Sequence, residues 1–166
     1  MRSFESSSGF SLIEVMVAAA ILGCAVLSIA QLSVVSTRST AGAREVSEAT
    51  LLAWQKIDQL RALAWTFDDA GVSIGDAALA PAPAGVLTHD MDGWVDYLDA
   101  WGQPVGGPLD GGGGAAPPPG TRYRRRWSVA ASGATPDLLI LRARVFAIGR
   151  DDELAGAASL RARRRP

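Results

Sequence analysis

Cysteine, histidine and lysine are nearly absent from this sequence of 166 residues, which contains one of each. The single cysteine, Cys24, cannot form an internal disulfide, and one thiol is too few for a thiol-based zinc site. Nothing near the only histidine, His89, indicates a base that activates a nucleophile, and no G-x-S-x-G motif is present. The sequence therefore predicts no catalytic residues, no cofactor and no enzymatic activity.

The length limits the chain to one small domain plus a membrane segment, which excludes a large multi-domain enzyme. The formal net charge of -1 hides an uneven distribution of charge. Residues 1–100 carry 5 basic and 12 acidic side chains, whereas residues 101–166 carry 11 basic and 5 acidic ones. The C-terminal part is therefore basic and the N-terminal part acidic.

Proline is absent from residues 10–80, and charge is nearly absent from residues 10–35, an apolar run of 26 residues. As a helix this run would cover ~39 Å, enough to span a bilayer with some tilt. It is longer than the apolar core of a secretory signal peptide. The run therefore predicts a transmembrane helix, and Arg2 with the terminal amine favours a cytoplasmic N-terminus.

Glu14 is the one charged side chain in this run. A carboxylate near the middle of a lone membrane helix costs ~2.5 to 3.5 kcal/mol, and less near its end, so it needs a partner. Cleavage between Gly9 and Phe10 would create an α-amino group at Phe10, which a carboxylate of a neighbouring subunit could neutralise. Glu14 is therefore predicted to be a subunit-assembly residue.

The stretch GFSLIEVMVAAAILG, residues 9–23, resembles the leader region of type IV prepilins, which pilins and the pseudopilins of type II secretion share. The resemblance implies that a prepilin peptidase removes residues 1–9 by cutting after Gly9, and that Phe10 is then N-methylated. It also implies a location in the bacterial inner membrane, with the C-terminal domain in the periplasm before assembly into a surface pilus or periplasmic pseudopilus. Other pilins or pseudopilins are the implied partners.

Residues 36–67 are predicted to be an amphipathic helix that continues into the soluble domain, with Gly42 marking a soft joint near its start. The stripe predicted to pack on the domain is Val46, Thr50, Ala53, Ile57, Leu60 and Ala64. The opposite side, predicted to face solvent or neighbouring subunits, holds Glu45, Glu48, Gln55, Asp58 and Gln59. Residues 68–166 are predicted to be a small β-rich domain with Gly- and Pro-rich loops. Within it, the alternation in TRYRRRWSVAAS and the run PDLLILRARVFAIG predict an antiparallel hairpin whose turn is SGATPD. The expected fold class is α+β: a long N-terminal helix, transmembrane in its first half, packed on a small antiparallel β-sheet.

Two sets of charged side chains indicate alternative binding roles. The first set alternates along the predicted basic strand and could contact the phosphates of DNA: Arg122, Arg124 and Arg126, with Arg161, Arg163, Arg164 and Arg165 of a predicted solvated tail. Arginines on the open face of a strand also protect an edge and maintain solubility. The second set, Asp90, Asp92 and Asp96, consists of weak calcium candidates, because their spacing does not match an EF-hand. Turn-forming aspartates are the alternative, and the sequence predicts no metal site.

The predicted function is that of a minor pilin-like subunit that co-assembles into a type IV pilus, priming assembly or sitting at the tip. The missing membrane-helix proline, where Gln31 stands, and the resemblance of Y-x-R-x-W-x-V to a strand of pilin-V-type minor pilins favour a minor subunit. The alternatives are a minor pseudopilin of type II secretion and a minor pilin for DNA uptake.

Overall fold

The computed structural model describes residues 11–106, 117–133 and 135–163. Contacts divide the chain into two compact units, residues 1–43 and residues 44–166. The elements in chain order are α1 (Leu12–Ala62), β1 (Trp65–Phe67), β2 (Ser73–Gly75), a 3-10 turn (Ala77–Leu79), β3 (Val95–Leu98), β4 (Tyr123–Ser132), β5 (Thr135–Ala147) and β6 (Glu153–Ala162).

The helix α1 is unbroken at the polar stretch 36–46, where the sequence predicts a soft joint. Gly42 costs only ~1 kcal/mol relative to alanine in a helix, and one such residue does not end a helix that is otherwise favoured. The Thr40 hydroxyl donates to the carbonyl oxygen of Ser36 (2.9 Å), within the helix itself. The predicted joint therefore introduces no break in the secondary structure.

The second unit contains a four-stranded antiparallel sheet in the order β3-β4-β5-β6. The β4–β5 hairpin pairs Trp127 with Ala143 and Val129 with Leu141. Alternate residues of these strands face the same side, and this side is buried. The predicted hairpin is confirmed, but its turn is shorter than SGATPD, because β5 begins at Thr135 and Ser132 pairs with Thr135. The α+β fold is confirmed as well.

Residues of α1 from 44 onward pack on this buried side of the sheet. Ala49, Ala53, Ile57 and Leu60 recur every three or four residues along one face of the helix, and each is at most 5% exposed. The two alanines carry small side chains where the helix meets the sheet. The helical spacing in the sequence also places Val46 on this face, and that prediction is wrong because Val46 is exposed.

The helix ends at Ala62, earlier than the predicted end at 67. Residues 65–67 instead pair with residues 73–75 as a short β1–β2 hairpin, which suits the β-branched and aromatic side chains of Trp65, Thr66 and Phe67. The Arg161 guanidinium on β6 donates to the carbonyl oxygens of Leu60 (2.8 Å) and Leu63. These carbonyls lack partners in the helix, so Arg161 caps its C-terminus.

Candidate assembly site

Glu14 lies in the first turn of α1, where its backbone N–H donates to the carbonyl oxygen of Ser11 (3.0 Å). Its side chain is exposed. A carboxylate in this position is favoured by the positive end of the helix dipole. Glu14 therefore presents a negative charge at the start of the helix. The predicted cleavage residues Gly9 and Phe10 lie outside the described residues.

The helix surface that follows Glu14 is apolar and exposed. By length and composition α1 is able to cross a membrane, and none of its apolar window is buried within the molecule. The exposed large apolar side chains of this stretch are Leu12, Ile13, Val15, Met16, Val17, Ile21, Leu22, Val26, Leu27, Ile29, Leu32, Val34 and Val35. A surface of this extent needs lipid or other apolar helices around it.

The hydroxyl groups in this part of α1 bond to the helix itself. Ser28 donates to Cys24 O (2.8 Å), Ser33 to Ile29 O (3.1 Å) and Thr37 to Ser33 O (2.9 Å), each four residues back. This internal bonding removes the need for water, which the bilayer core does not provide. These hydroxyl side chains are therefore compatible with an apolar environment.

A charged cluster in the second unit joins the sheet to α1. The Arg125 guanidinium, on β4, donates to Asp96 Oδ2 through Nη2 (2.7 Å) and Nε (3.1 Å). Its Nη1 donates to the carbonyl oxygen of Leu52 (2.9 Å) and to Oε1 of Gln55 (3.0 Å), both on α1. Arg125 is only 3% exposed, so these bonds replace the water that its charge has lost.

Lys56 completes this cluster from the helix side. Its Nζ lies 3.0 Å from Asp96 Oδ2 and 3.3 Å from the centre of the Trp127 ring, which is a cation–π contact. Burial lowers the pKa of Lys56 despite the opposing effect of the Asp96 carboxylate. The Asp96 carboxylate thus forms ion pairs with both Lys56 and Arg125 where the helix packs on the sheet.

The three arginines that suggest DNA contact occupy different environments. Arg126 Nε donates to Asp90 Oδ1 (2.7 Å), Arg124 Nη1 lies 3.4 Å from Asp90 Oδ2, and both guanidinium groups stack over Phe146. Arg126 is buried, and the Arg124 side chain is 16% exposed. Arg122, with its side chain 52% exposed, lies 3.9 Å from Glu45. DNA contact stays a prediction, and Arg122 is the most accessible of the three.

The aspartates proposed as weak calcium ligands do not converge. Asp90 accepts from Arg126 and also from the Tyr97 hydroxyl (3.1 Å), and Asp96 accepts from Arg125 and Lys56, whereas Asp92 is exposed. Burial, followed by the charge of Asp90, raises the pKa of Tyr97. In the described part of the chain, no group of three His, Cys, Asp or Glu side chains could hold a metal ion. Asp90 and Asp96 instead act as counter-ions for basic side chains.

The C-terminal arginines that the sequence assigns to a solvated tail are partly structural. Arg161 caps α1, and Arg163 Nε donates to Asp137 Oδ1 (3.1 Å) while its guanidinium stacks 3.5 Å from the centre of the Trp65 ring. Arg163 Nη1 also donates to the carbonyl oxygen of Ile74 (3.0 Å), on β2. The tail prediction is therefore wrong up to residue 163, and Arg164 and Arg165 lie outside the described residues.

Two polar residues that the sequence places on the solvent side of α1 accept hydrogen bonds from side chains of β4. Gln55 accepts from Arg125, and Glu48 Oε2 accepts from the Tyr123 hydroxyl (2.9 Å). Sequence periodicity missed these contacts because it assigns polar residues to the solvent side. The sequence RRR at 124–126 could have indicated such contacts. If the strand alternates, one of these arginines must face inward and needs polar partners on the helix.

A comparison with protein families bears on the N-terminal features. The family model described as the prokaryotic N-terminal methylation motif matches residues 6–30. The chain carries the prepilin and pseudopilin signature. This motif spans the Glu14 helix turn and most of the exposed apolar stretch, and it supports a precursor of the type IV pilin or pseudopilin type. Proteins with this signature are structural subunits that a prepilin peptidase processes and that assemble with other pilin subunits.

No curated protein and no solved structure matches the chain. The methylation motif and the exposed apolar helix fit anchoring in the inner membrane.

Proposed function

We propose that this protein is a minor pilin-like subunit that enters a type IV pilus, where it primes assembly or occupies the tip. The methylation motif at residues 6–30 is the observation that carries the proposal. In this proposal residues 1–9 are the leader, residues 10–35 the transmembrane segment, and the remainder of the chain the periplasmic part. The N-terminus faces the cytoplasm, and the leader is removed on that side of the membrane.

Glu14 has a specific role in this proposal. Removal of the leader leaves an α-amino group on Phe10, which is then methylated and remains cationic. The Glu14 carboxylate of one subunit pairs with the Phe10 amine of the next, so that two charges are neutralised together inside lipid. An unpaired charge in the membrane is costly, and the pairing favours the assembled state over the isolated subunit.

The exposed apolar helix supports the same proposal. Its large apolar side chains are not covered by any other part of the subunit. In the membrane, lipid covers them. On extraction into a filament, helices of neighbouring subunits would have to cover the same surface. The internally bonded hydroxyls of Ser28, Ser33 and Thr37 suit both environments.

A minor role is favoured by two features of the sequence. The membrane segment lacks the proline that many pilins carry, and Gln31 stands near its place. The strand YRRRWSV resembles a strand of pilin-V-type minor pilins. A minor pseudopilin of type II secretion has the same motif and is the alternative assembly. DNA uptake has less support, because Asp90 pairs with both Arg124 and Arg126.

Fractionation of cells that express the tagged chain tests the proposal. We expect the processed chain to co-purify with sheared surface pili at a small fraction of the major subunit, and to be lost from that fraction when the major pilin is deleted. Recovery only with a periplasmic filament that requires the secretion machinery would assign the chain to type II secretion. An uncleaved chain that remains in the inner membrane would rule out both assemblies.

A further inference from the structure

The last strand of the sheet, β6, has an open outer edge. In the described part of the chain it pairs only with β5. The Arg163 N–H donates to the carbonyl oxygen of Asp137 (2.8 Å), directly opposite in the same ladder, so these two residues form a hydrogen-bonded pair. Such pairs alternate with pairs whose backbone groups point away from each other, so every second residue of β6 turns its N–H and C=O groups away from β5. We call these the outward residues: Gly156, Ala158, Leu160 and Ala162.

The backbone groups of the outward residues have almost no partners within the molecule. All of these residues are exposed. Among the described residues, the one hydrogen bond to their outward groups comes from the Ser159 hydroxyl, which lies 3.4 Å from the carbonyl oxygen of Leu160. The strand also lacks the usual protection of an edge, because residues 154–160 contain no proline and no charged side chain. It therefore presents a row of unpaired backbone donors and acceptors.

The opposite edge of the same sheet, along β3, is closed by the chain itself. The carbonyl oxygen of Tyr97 accepts from the N–H of Val105 (2.8 Å), and the N–H of Asp99 donates to the carbonyl oxygen of Gln103 (2.9 Å). The covered strand has 4 residues, whereas β6 has 10. The molecule thus covers its short edge and leaves its long edge uncovered.

A groove lies beside the C-terminal end of the open edge. Its volume is about 520 Å³, and it is lined by residues 61–66 on one side and residues 160–162 on the other. Arg61 lines this groove and is exposed, and its guanidinium has no hydrogen bond or ion pair among the described residues. Asp58, three residues earlier on α1, neither pairs with Arg61 nor lines the groove. The groove therefore offers room for the end of an added strand, beside a cation without a counter-ion.

We propose that the open edge of β6 binds an extended segment of another polypeptide chain as a fifth strand of the sheet. The alternating donors and acceptors of the edge match a polypeptide backbone, and this match identifies the occupant. The segment runs antiparallel to β6, as all the described strand pairs do, and each outward residue then forms two hydrogen bonds with it. An acidic side chain near the N-terminal end of the segment meets Arg61 in the groove.

A second copy of this chain is a poorer occupant than a different chain. The one acid of its β6 strand, Glu153, is already paired with Arg144 (3.2 Å), so it is not free for Arg61. The same strand is rich in alanine and glycine, which have weak strand propensity. Gly156 and Ala158 leave space for larger side chains across the new pair. The occupant is therefore a different chain, with β-branched residues along the edge and a free acid at its start.

Strand addition gives the soluble part of the chain a partner-binding role. This role goes beyond the proposed function. It does not depend on leader cleavage, because the edge and the groove both lie in residues 44–166.

Hydrogen exchange of the uncleaved full-length chain, purified in excess detergent, tests whether the edge is open and where a strand binds. In the free chain, the amides of the outward residues should exchange much faster than those of Ala157 and Ser159, which point toward β5. The probe is a short synthetic peptide, capped at both ends, that begins with glutamate and continues with alternating threonine and valine. It should slow exchange at the outward residues. Slow exchange there without peptide, or protection by the peptide at another surface, would overturn the proposal.

Substitution at Ala158 separates strand addition from other modes of binding. Ala158→Pro removes an outward N–H and leaves the ladder to β5 intact, so it should lower peptide affinity at least about tenfold in fluorescence anisotropy. Ala158→Val keeps the N–H at an exposed position and should bind like the wild type. Equal affinities of the two variants would contradict strand addition.

Methylation of the peptide backbone keeps the test decisive if Ala158→Pro misfolds. Only alternate residues of an added strand turn their N–H groups toward β6. A peptide N-methylated at alternate residues should therefore lose binding in one phase of methylation and keep it in the other. Loss of binding in neither phase, or no binding of the unmodified peptide, would overturn the proposal.

Arg61→Gln tests the acidic contact and the direction of the strand. It should weaken binding of the peptide about threefold, and leave unchanged the binding of a peptide that begins with glutamine. A peptide with the glutamate at its other end should not respond to Arg61→Gln, and a response would contradict the antiparallel direction. Self-association of the peptide-free chain in sedimentation, abolished by Ala158→Pro, would assign the edge to a second copy and overturn the proposal.

Discussion

Replacement of Glu14 by alanine is expected to reduce incorporation of the chain into filaments by at least about tenfold, while leaving it in the membrane. The variant lacks the carboxylate that would neutralise the Phe10 amine of a neighbour, and each ~1.4 kcal/mol lost is a factor of ten in an equilibrium. Membrane insertion should improve, because a carboxylate near the centre of a lone helix costs ~2.5 to 3.5 kcal/mol and less near its end. The measurement is the amount of tagged chain in sheared filaments relative to the amount in membranes, for the variant and for the wild type.

Two controls separate charge from the other effects of this substitution. Glu14→Asp keeps the carboxylate and should retain part of the incorporation, whereas Ser28→Ala, which removes a hydroxyl bonded within the helix, should retain nearly all of it. The leader of the Glu14→Ala variant should still be removed. Normal incorporation of Glu14→Ala would refute the assembly role that we assign to this residue.

Asp96→Ala is expected to give the largest loss of stability in the soluble part of the chain. It leaves the Arg125 guanidinium, 3% exposed, and the Lys56 ammonium without their carboxylate. Removing one partner from a buried ion pair costs about 3 kcal/mol or more, because the remaining charge stays buried. In a unit of this size that loss corresponds to a fall in Tm of roughly 10 °C.

Thermal unfolding of the full chain in detergent, followed by tryptophan fluorescence, measures this loss, because Trp127 lies directly beside Lys56. Asp92→Ala is the matched control: the carboxylate is exposed and has no partner among the described residues, so Tm should change little. Equal Tm values for the two variants would contradict a structural role for the Arg125–Asp96–Lys56 cluster.

The sequence was sufficient for the N-terminal motif and for the elements with strong periodicity. Gly9 precedes a long apolar run, and Phe10 and Glu14 lie at its start, so the motif can be recognised from residues that are close together in the sequence. The β4–β5 hairpin is also local, since its strands alternate and its turn contains Gly133. Features set by neighbouring residues were therefore predictable.

Features set by distant residues were not predictable. The strand β6, ELAGAASLRA, is rich in alanine and glycine and has weak strand propensity, so its pairing with β5 determines it. Strand alternation indicates that Arg125 faces inward, but it does not indicate its partners: Asp96 lies 29 residues earlier and Leu52 O lies 73 residues earlier. Arg161 caps a helix by bonding to Leu60 O, 101 residues earlier in the sequence. Only the folded chain brings these groups together.

The intact mass of the chain recovered from sheared pili tests the central claim most directly. We predict a chain that lacks residues 1–9 and begins with N-methylated Phe10, identified by fragmentation of the N-terminal peptide. The same chain from cells without prepilin peptidase should retain Met1 or start at Arg2, and should be missing from the pili. A filament-associated chain with an intact leader, or one cut at a site other than Gly9–Phe10, would contradict the account.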